Sequence, residues 1–450
     1  MKANRAIALV LAVIMLTGAM LSGCGTSAPA DVTASTPAAA ATAGAEGNSA
    51  EEHEPVTITF YHGTSDGGAA ANAAKAFMEK YPWITVEAIE FPVNTTEKLQ
   101  ILNTVFSAQD PSIDVFYCDC TWPAQFTGSD WMEDLSDVYT EDEMKDFIPG
   151  AVSAGLGSDG KLYAIPLYVN VGVMLYRTDL LEKYGFQPAK TYEEMIDQCE
   201  VIVAGEKAEG NDIAGYTSAW TEYEGFTCQA FTFMWSYGAE FEKEGVCTLD
   251  SPEAIKGLSV MRELVEKGLT DTGIRGYKWL DSQAIFNAGG AVYMTDWPNA
   301  YNNALKPENS SVYDKVGLTN VPGGKDAESC YSANGGWYVG VSAFSEHKEE
   351  AKLFVKYLTD YENQVQYCMT GGLLPVRLSC YQDEQILAER PVVADMIDAA
   401  TMCKSRPSSP YYGEISTHIY GNVAKIVDGT VTPEEGAKQM TAEIQEILDR

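Results

Sequence analysis

The chain reads as an α/β protein built from two lobes, and three observations carry that reading. From Val56 onward, segments of strand and helix character alternate as strand-helix-strand-helix-strand, the order of a parallel sheet with right-handed crossovers. Residues 56–450 are too many for one ordinary hydrophobic core, so a second lobe is needed. Helix caps then recur to the C-terminus, so the globular part continues to the end.

The N-terminus comes first in order. Lys2 and Arg5 precede an almost uninterrupted apolar run from Ala6 to Met20, which closes in Leu21-Ser22-Gly23-Cys24. This is the layout of a secretory signal. Its end resembles the bacterial lipobox, which makes residues 1–23 a signal peptide and Cys24 the lipidated first residue of the mature chain. A membrane-spanning helix is the alternative, but the run is short and is followed by Gly, Ser and Thr, with no charged stop. Residues 24–55 are Ala, Thr, Ser, Pro and Gly with a late acidic patch, and Val32 is the one sizeable aliphatic side chain. Such a stretch cannot bury enough apolar surface to order itself. It predicts a disordered tether spanning about 30 Å. One acyl chain holds a protein to a bilayer only marginally, so a stable anchor implies more than one.

Val56 to Tyr61 alternates as a strand, and Ala69 to Lys80 predicts a helix ending before Tyr81-Pro82. Ile84 to Ile89 alternates again, Glu97 to Ala108 reads as a helix, and Asp114 to Tyr117 as a short apolar strand. Thr191-Tyr-Glu-Glu194 and Thr432-Pro-Glu-Glu435 are capping boxes, the second with Pro at the first helical position. Ser251-Pro252 opens a helix that Gly268 closes, and Ser345 opens one running to about Thr359. Ala437, Met440, Ile444 and Leu448 share one helical face, the pattern of core packing.

The formal charge is −34, and the basic residues of the signal leave with it, so the mature chain is more acidic still. That argues against nucleic acid and anionic headgroups as partners. It suits a neutral or cationic small ligand. Of ten cysteines, the nine beyond Cys24 are odd in number and scattered in spacing, so they read as buried small hydrophobes and not as a disulfide framework. Cys118-x-Cys120 has no histidine pair at ligand spacing beside it, and neither C-x-x-C nor H-E-x-x-H occurs, so no metal and no cofactor is expected. Gly155-Leu-Gly157-Ser-Asp-Gly160 matches G-x-G-x-x-G only in letters: no helix opens after it, and Asp159-Gly160 is a turn signal. Glu133-Asp134 could suggest a glycosidase pair, but 64 acidic residues make solvated surface the plainer reading. No G-x-S-x-G occurs, and no catalytic constellation stands out.

Several blocks in a shared order resemble the extracellular solute-binding lipoproteins of sugar ABC importers. They are Gly160-Lys-Leu-Tyr-Ala-Ile-Pro-Leu-Tyr168, Met174-Leu-Tyr-Arg-Thr-Asp-Leu-Leu-Glu-Lys-Tyr-Gly185, Ala288-Gly-Gly-Ala-Val-Tyr-Met-Thr-Asp-Trp297, Gly335-Gly-Trp337 and Gly371-Gly-Leu-Leu-Pro-Val-Arg377. Asp119-Cys-Thr-Trp-Pro-Ala-Gln-Phe126, Tyr223-Glu-Gly-Phe-Thr-Cys228 and Arg406-Pro-Ser-Ser-Pro-Tyr411 look most like maltose- and trehalose-type binders within that family. The resemblance implies a two-lobed periplasmic-binding-protein-like fold of type II, each lobe a parallel-rich sheet flanked by helices, with the ligand cleft between lobes. It maps lobe one to 56–167 plus 322–360 and lobe two to 168–321 plus 361–450.

A pyranose presents apolar C–H faces and a rim of hydroxyls, so aromatic rings and charged or amide groups together recognise it. The resemblance implies Asp119, Trp297, Trp337 and the Gly336 backbone as ligand contacts, with Arg377 aimed inward from a rigid loop. It adds Asp66, Tyr168, Trp122 and Tyr301, and puts Asn170 where an aspartate is usual. For the tryptophans the alternative is core packing; for Asp119 and Arg377 it is an inter-strand or loop salt bridge. The implied function is a non-enzymatic, lipid-anchored, monomeric receptor for an oligosaccharide, a disaccharide by the type of relative, delivering it to an ABC permease. The alternatives are a polyamine, peptide or phosphorylated solute in the same fold, or an anchored glycoside hydrolase. A carboxylate cage without arginine would mark the polyamine.

Overall fold

The structure, a computed structural model, describes residues 53–450 apart from 64–65, 93–94 and the side chain of Thr96. The signal peptide, Cys24 and all but the last residues of the expected tether lie outside the described residues.

Two large sheets form among the described residues, beside two small two-stranded ones, and the large pair explains where a cleft must lie. The first contains β1 (Val56–His62), β2 (Ile84–Glu90), β3 (Val115–Asp119), β4 (Ala164–Tyr168) and β9 (Trp337–Val341), in the order β2-β1-β3-β9-β4. The second contains β5 (Val173–Arg177), β6 (Ala214–Thr217), β7 (Ala291–Asp296) and β8 (Val316–Asn320), in the order β8-β5-β7-β6. β1 pairs in parallel with β2 and β3, while β9 runs antiparallel to both β3 and β4. In the second sheet β5 opposes β7 and β8, and β6 runs with β7. Each sheet thus has one reversed strand. It is the strand that has just crossed from the other lobe, so it starts at the end where its neighbours finish. The carboxyl ends of the remaining strands face the crossings, where α/β sheets hold their ligands.

The expected elements of the first lobe form nearly as read. The helices run Ala69–Lys80 and Thr95–Ser107. Thr432 and Glu435 make both bonds of their capping box. Thr191 makes only its half: its side chain accepts from Glu194 N, while the Glu194 carboxylate accepts from Lys190 N. Ser251 caps the helix Pro252–Glu266. Ser345 lies two residues early: its hydroxyl bonds Asp114, and the helix runs Lys348–Leu358. Gly157 to Gly160 is a turn, closed by a Leu156–Leu162 bridge.

Three chain segments cross side by side. Val169 N donates to Leu374 O, Gly335 N to Asn170 O, and Asn334 N to Lys404 O, at 2.7–2.9 Å. Ser332–Ala333 also pairs in parallel with Cys403–Lys404. The third crossing therefore lies at 403–406, not at 360. Tyr361–Gly371 packs on the helix Ala69–Lys80 and on β4. Val365, Tyr367, Leu374, Tyr381, Ile386 and Ala400 join the core that holds Ile58 and Phe60. The expected placement of 361–402 in lobe two is thus corrected; lobe two regains the chain with the helices Tyr412–Val427 and Pro433–Leu448. The two-residue strand at the real crossing carries no periodicity that could announce it. Lobe two is built around Glu224–Ser236, a helix apolar on nearly every face. Its burial among the helices Pro252–Glu266 and Tyr412–Val427 follows from that pattern.

Candidate ligand cleft

At the carboxyl end of the first sheet, strand register brings three expected residues into one row. Trp337, the first residue of β9, pairs with Asp119 at the end of β3 and with Tyr168 at the end of β4. Trp337 is half-buried, and Trp122 meets it edge-on at 5.7 Å between centroids. Lys98, from the helix after β2, sets its Nζ 4.2 Å from the centre of the Trp337 ring, a cation–π contact. Burial lowers the pKa of that ammonium, while the charges of Asp119 and Asp66 oppose the shift. Asp66 accepts from Gly68 N and Ala70 N at the start of Ala69–Lys80, and from Tyr117 Oη at 3.0 Å.

The floor of the cleft is an ion network that reaches across the crossings. Arg406 Nη2 donates to Asp119 Oδ1 at 2.9 Å, and Nη1 to Glu224 Oε1 at 2.5 Å. Its Nε donates to the Asn334 carbonyl at 3.2 Å. Asp119 comes from the first sheet, Glu224 opens a helix of lobe two, and Arg406 sits just after the third crossing. Asp119 Oδ1 also accepts from Thr121 N and Oγ1. Tyr412 Oη and Ser416 Oγ both donate to Glu224 at 2.5 Å, and the helix N-terminus favours its charge. One guanidinium thus holds two carboxylates from opposite lobes.

Trp297 is the expected contact that follows the second sheet. It follows β7 directly and precedes Pro298, the first residue of a short helix. Asp296 Oδ1 accepts Trp297 N at 2.6 Å and Gln283 Nε2 at 3.3 Å. Asp296 is wholly buried and its Oδ2 has no partner among the described residues. Burial therefore pushes its pKa up to about 8. The six-membered ring of Trp297 lies against Gly335, where a Cβ would come within 2.6 Å of it. Gly336 is equally constrained: a Cβ would stand 2.8 Å from the Tyr168 carbonyl. Its N–H donates to Asn334 Oδ1.

Asp119, Tyr168, Trp337, Gly336 and Trp122 are thus brought together, with Trp297 against the neighbouring Gly335. Asn170 sits on the first crossing beside them, its carbonyl taken by Gly335 N and its side chain half-buried. Tyr301 lies one helical turn beyond Trp297, partly buried against the first core. Arg377 does otherwise. Its Nε donates to Thr359 O at 2.7 Å, Nη1 pairs with Asp146 at 3.3 Å, and the guanidinium covers the Phe147 ring. Those contacts are a loop salt bridge, as the Asp119–Arg406 contact is a salt bridge too, and none of them is to Asp119, Trp122, Trp297 or Trp337. Three residues of the cleft were not singled out from sequence. Arg406 and Glu224 stood inside quoted blocks and could have been found by asking which charges those blocks carry. Lys98 had no signal beyond its place in a helix. Among the described residues no group of acidic, His or Cys side chains forms a metal site, and no helix is long and apolar enough to cross a membrane.

Residues 62–365 match the model for the bacterial extracellular solute-binding protein family. The chain belongs to that family. A probable ABC transporter-binding protein of Deinococcus radiodurans is 27% identical over 409 residues, 89% of this chain and 96% of that one. The maltose-bound MalE3 structure of T. maritima superposes with a TM-score of 0.77 at 31% identity, covering 87% of this chain and all of that one. The GacH receptor of Streptomyces glaucescens, solved unliganded and with acarbose, gives a TM-score of 0.75 at 20% identity, covering 88% of this chain and 99% of that one. The family is thus one of extracellular solute-binding proteins, and the Deinococcus relative is a probable ABC transporter-binding protein.

Proposed function

We propose that this chain is a lipid-anchored receptor that captures an oligosaccharide between its lobes and delivers it to an ABC permease. The observation that carries the reading is Arg406 joined to Asp119 and Glu224, set among Trp337, Trp122 and Trp297. Sugar hydroxyls both donate and accept. Carboxylates and a guanidinium held in place give them charge-assisted bonds, stronger than neutral ones. The tryptophan faces cover the C–H surface of the ring. Lys98, resting over Trp337, is a further donor at the same wall.

Ligand contacts made by both lobes would favour the closed arrangement, because only that state offers both sets at once. Arginine in the cleft weighs against a polyamine, which would meet a like charge. Cys24 as lipid anchor, the tether over 24–55 and a monomeric body belong to the same proposal. Isothermal titration calorimetry against a panel of mono-, di- and oligosaccharides tests it. Saturable binding with one ligand per chain is expected; no heat with any sugar of the panel would overturn the sugar assignment.

A further inference from the structure

Of the eight tryptophans, Trp279 alone joins neither hydrophobic core of the described residues. It opens the helix Trp279–Asn287, is half-buried, and is followed by Leu280, which is 77% exposed. Its ring lies 5.1 Å from that of Trp297, with 57° between the planes. Its backbone N–H donates to Tyr223 Oη at 3.3 Å. Tyr223 is also half-buried and outside both cores, and it directly precedes Glu224 of the cleft floor.

The arrangement is built and held. Asp281 caps the helix by accepting from Lys278 N at 3.0 Å. One turn after Trp279, buried Gln283 donates to Asp296 Oδ1, the same oxygen that takes Trp297 N–H. The Asp296 carboxyl group therefore ties both tryptophan-bearing elements to one oxygen. Trp279 thus presents a half-buried indole beside Trp297, an apolar face of the kind that covers the C–H surface of a pyranose.

We infer that Trp279, with Tyr223 beside it, is a second stacking subsite that continues the Trp297 platform along lobe two. The cleft then takes a linear oligosaccharide of at least three pyranose units, one each at Trp337, Trp297 and Trp279. The tilt between the two rings suits a chain whose successive sugar planes turn at each glycosidic bond. This inference rests on the sugar reading proposed above.

The test is calorimetry with glucose di-, tri- and tetrasaccharides in α-1,4, α-1,6 and β-1,4 linkage. In whichever linkage binds, the trisaccharide is expected to bind about tenfold more tightly than the disaccharide. Trp279→Ala is expected to bring that ratio close to one, and Trp279→Tyr to restore most of it. A wild-type ratio near one overturns the subsite without any variant. So does a ratio that Trp279→Ala leaves unchanged in a protein whose circular dichroism is native. Absence of binding by every sugar instead fells the sugar reading itself, so the two failures are distinct.

Discussion

Arg406 is the residue on which the cleft chemistry turns. A buried ion pair is poor evidence of stability, since desolvation offsets most of its attraction, yet removing one partner strands the others. Here one removal strands two carboxylates. Arg406→Ala is expected to cost about 3–5 kcal/mol of folding stability, read by urea denaturation, and to abolish sugar binding. Arg406→Lys restores charge but not the fork that reaches Asp119 and Glu224 together, so it should recover stability better than affinity. Asp296 offers a different readout. Its folded pKa, about 8, lies above the unfolded value of 3.8, so the folded state keeps a proton that the unfolded state releases. Its contribution is full below the unfolded pKa and is lost as pH rises from there through about 8. Asp296→Asn should flatten that part of the stability–pH curve, measured by thermal melts from pH 4 to 9. An unchanged slope would mean that the carboxyl is ionised when folded.

At the scale of elements, the Gly335-Gly336 segment places Trp297 and Trp337 because neither glycine has room for a side chain. Gly335→Ala would drive a methyl into the Trp297 ring at 2.6 Å. A loss of sugar affinity of at least about tenfold is expected, with thermal stability falling less than for Gly336→Ala, whose methyl meets backbone. Calorimetry beside melting curves separates the two. Elements are also where the sequence was most legible. The β1–β3 region with its helices could be read from periodicity, because alternation and caps act within a few residues. What makes Arg377 a loop tie and Arg406 a cleft residue is pairing across more than two hundred residues, with Asp146 and Asp119 respectively. Both arginines stand in loops within two residues of a proline, so local pattern could not tell them apart.

For the whole molecule, three crossings lie side by side, and ligand binding is expected to swing the lobes about them. Small-angle scattering should show a smaller radius of gyration with saturating sugar, and no change would argue for a preformed, rigid cleft. The number of lobes could be read from chain length, and the direction of the first sheet from its strand order. The boundary at 403–406 could not, because a crossing of two residues leaves no hydrophobic period and the segment before it is apolar like any other.

That late crossing has a consequence for how the chain reaches its form. The first lobe draws β1 to β4 from the amino-terminal part, β9 from beyond residue 336, and helices from as far as Thr401. A chain that emerges amino end first cannot finish this lobe until about nine-tenths of it is out. Its early strands meanwhile wait with an unpaired edge at β3, where β9 must insert between β3 and β4. Such long-range pairing makes folding slow and leaves surface exposed to aggregation in the interval. The same delay would keep the chain open enough to be threaded, as the export implied by the lipid anchor proposed above requires.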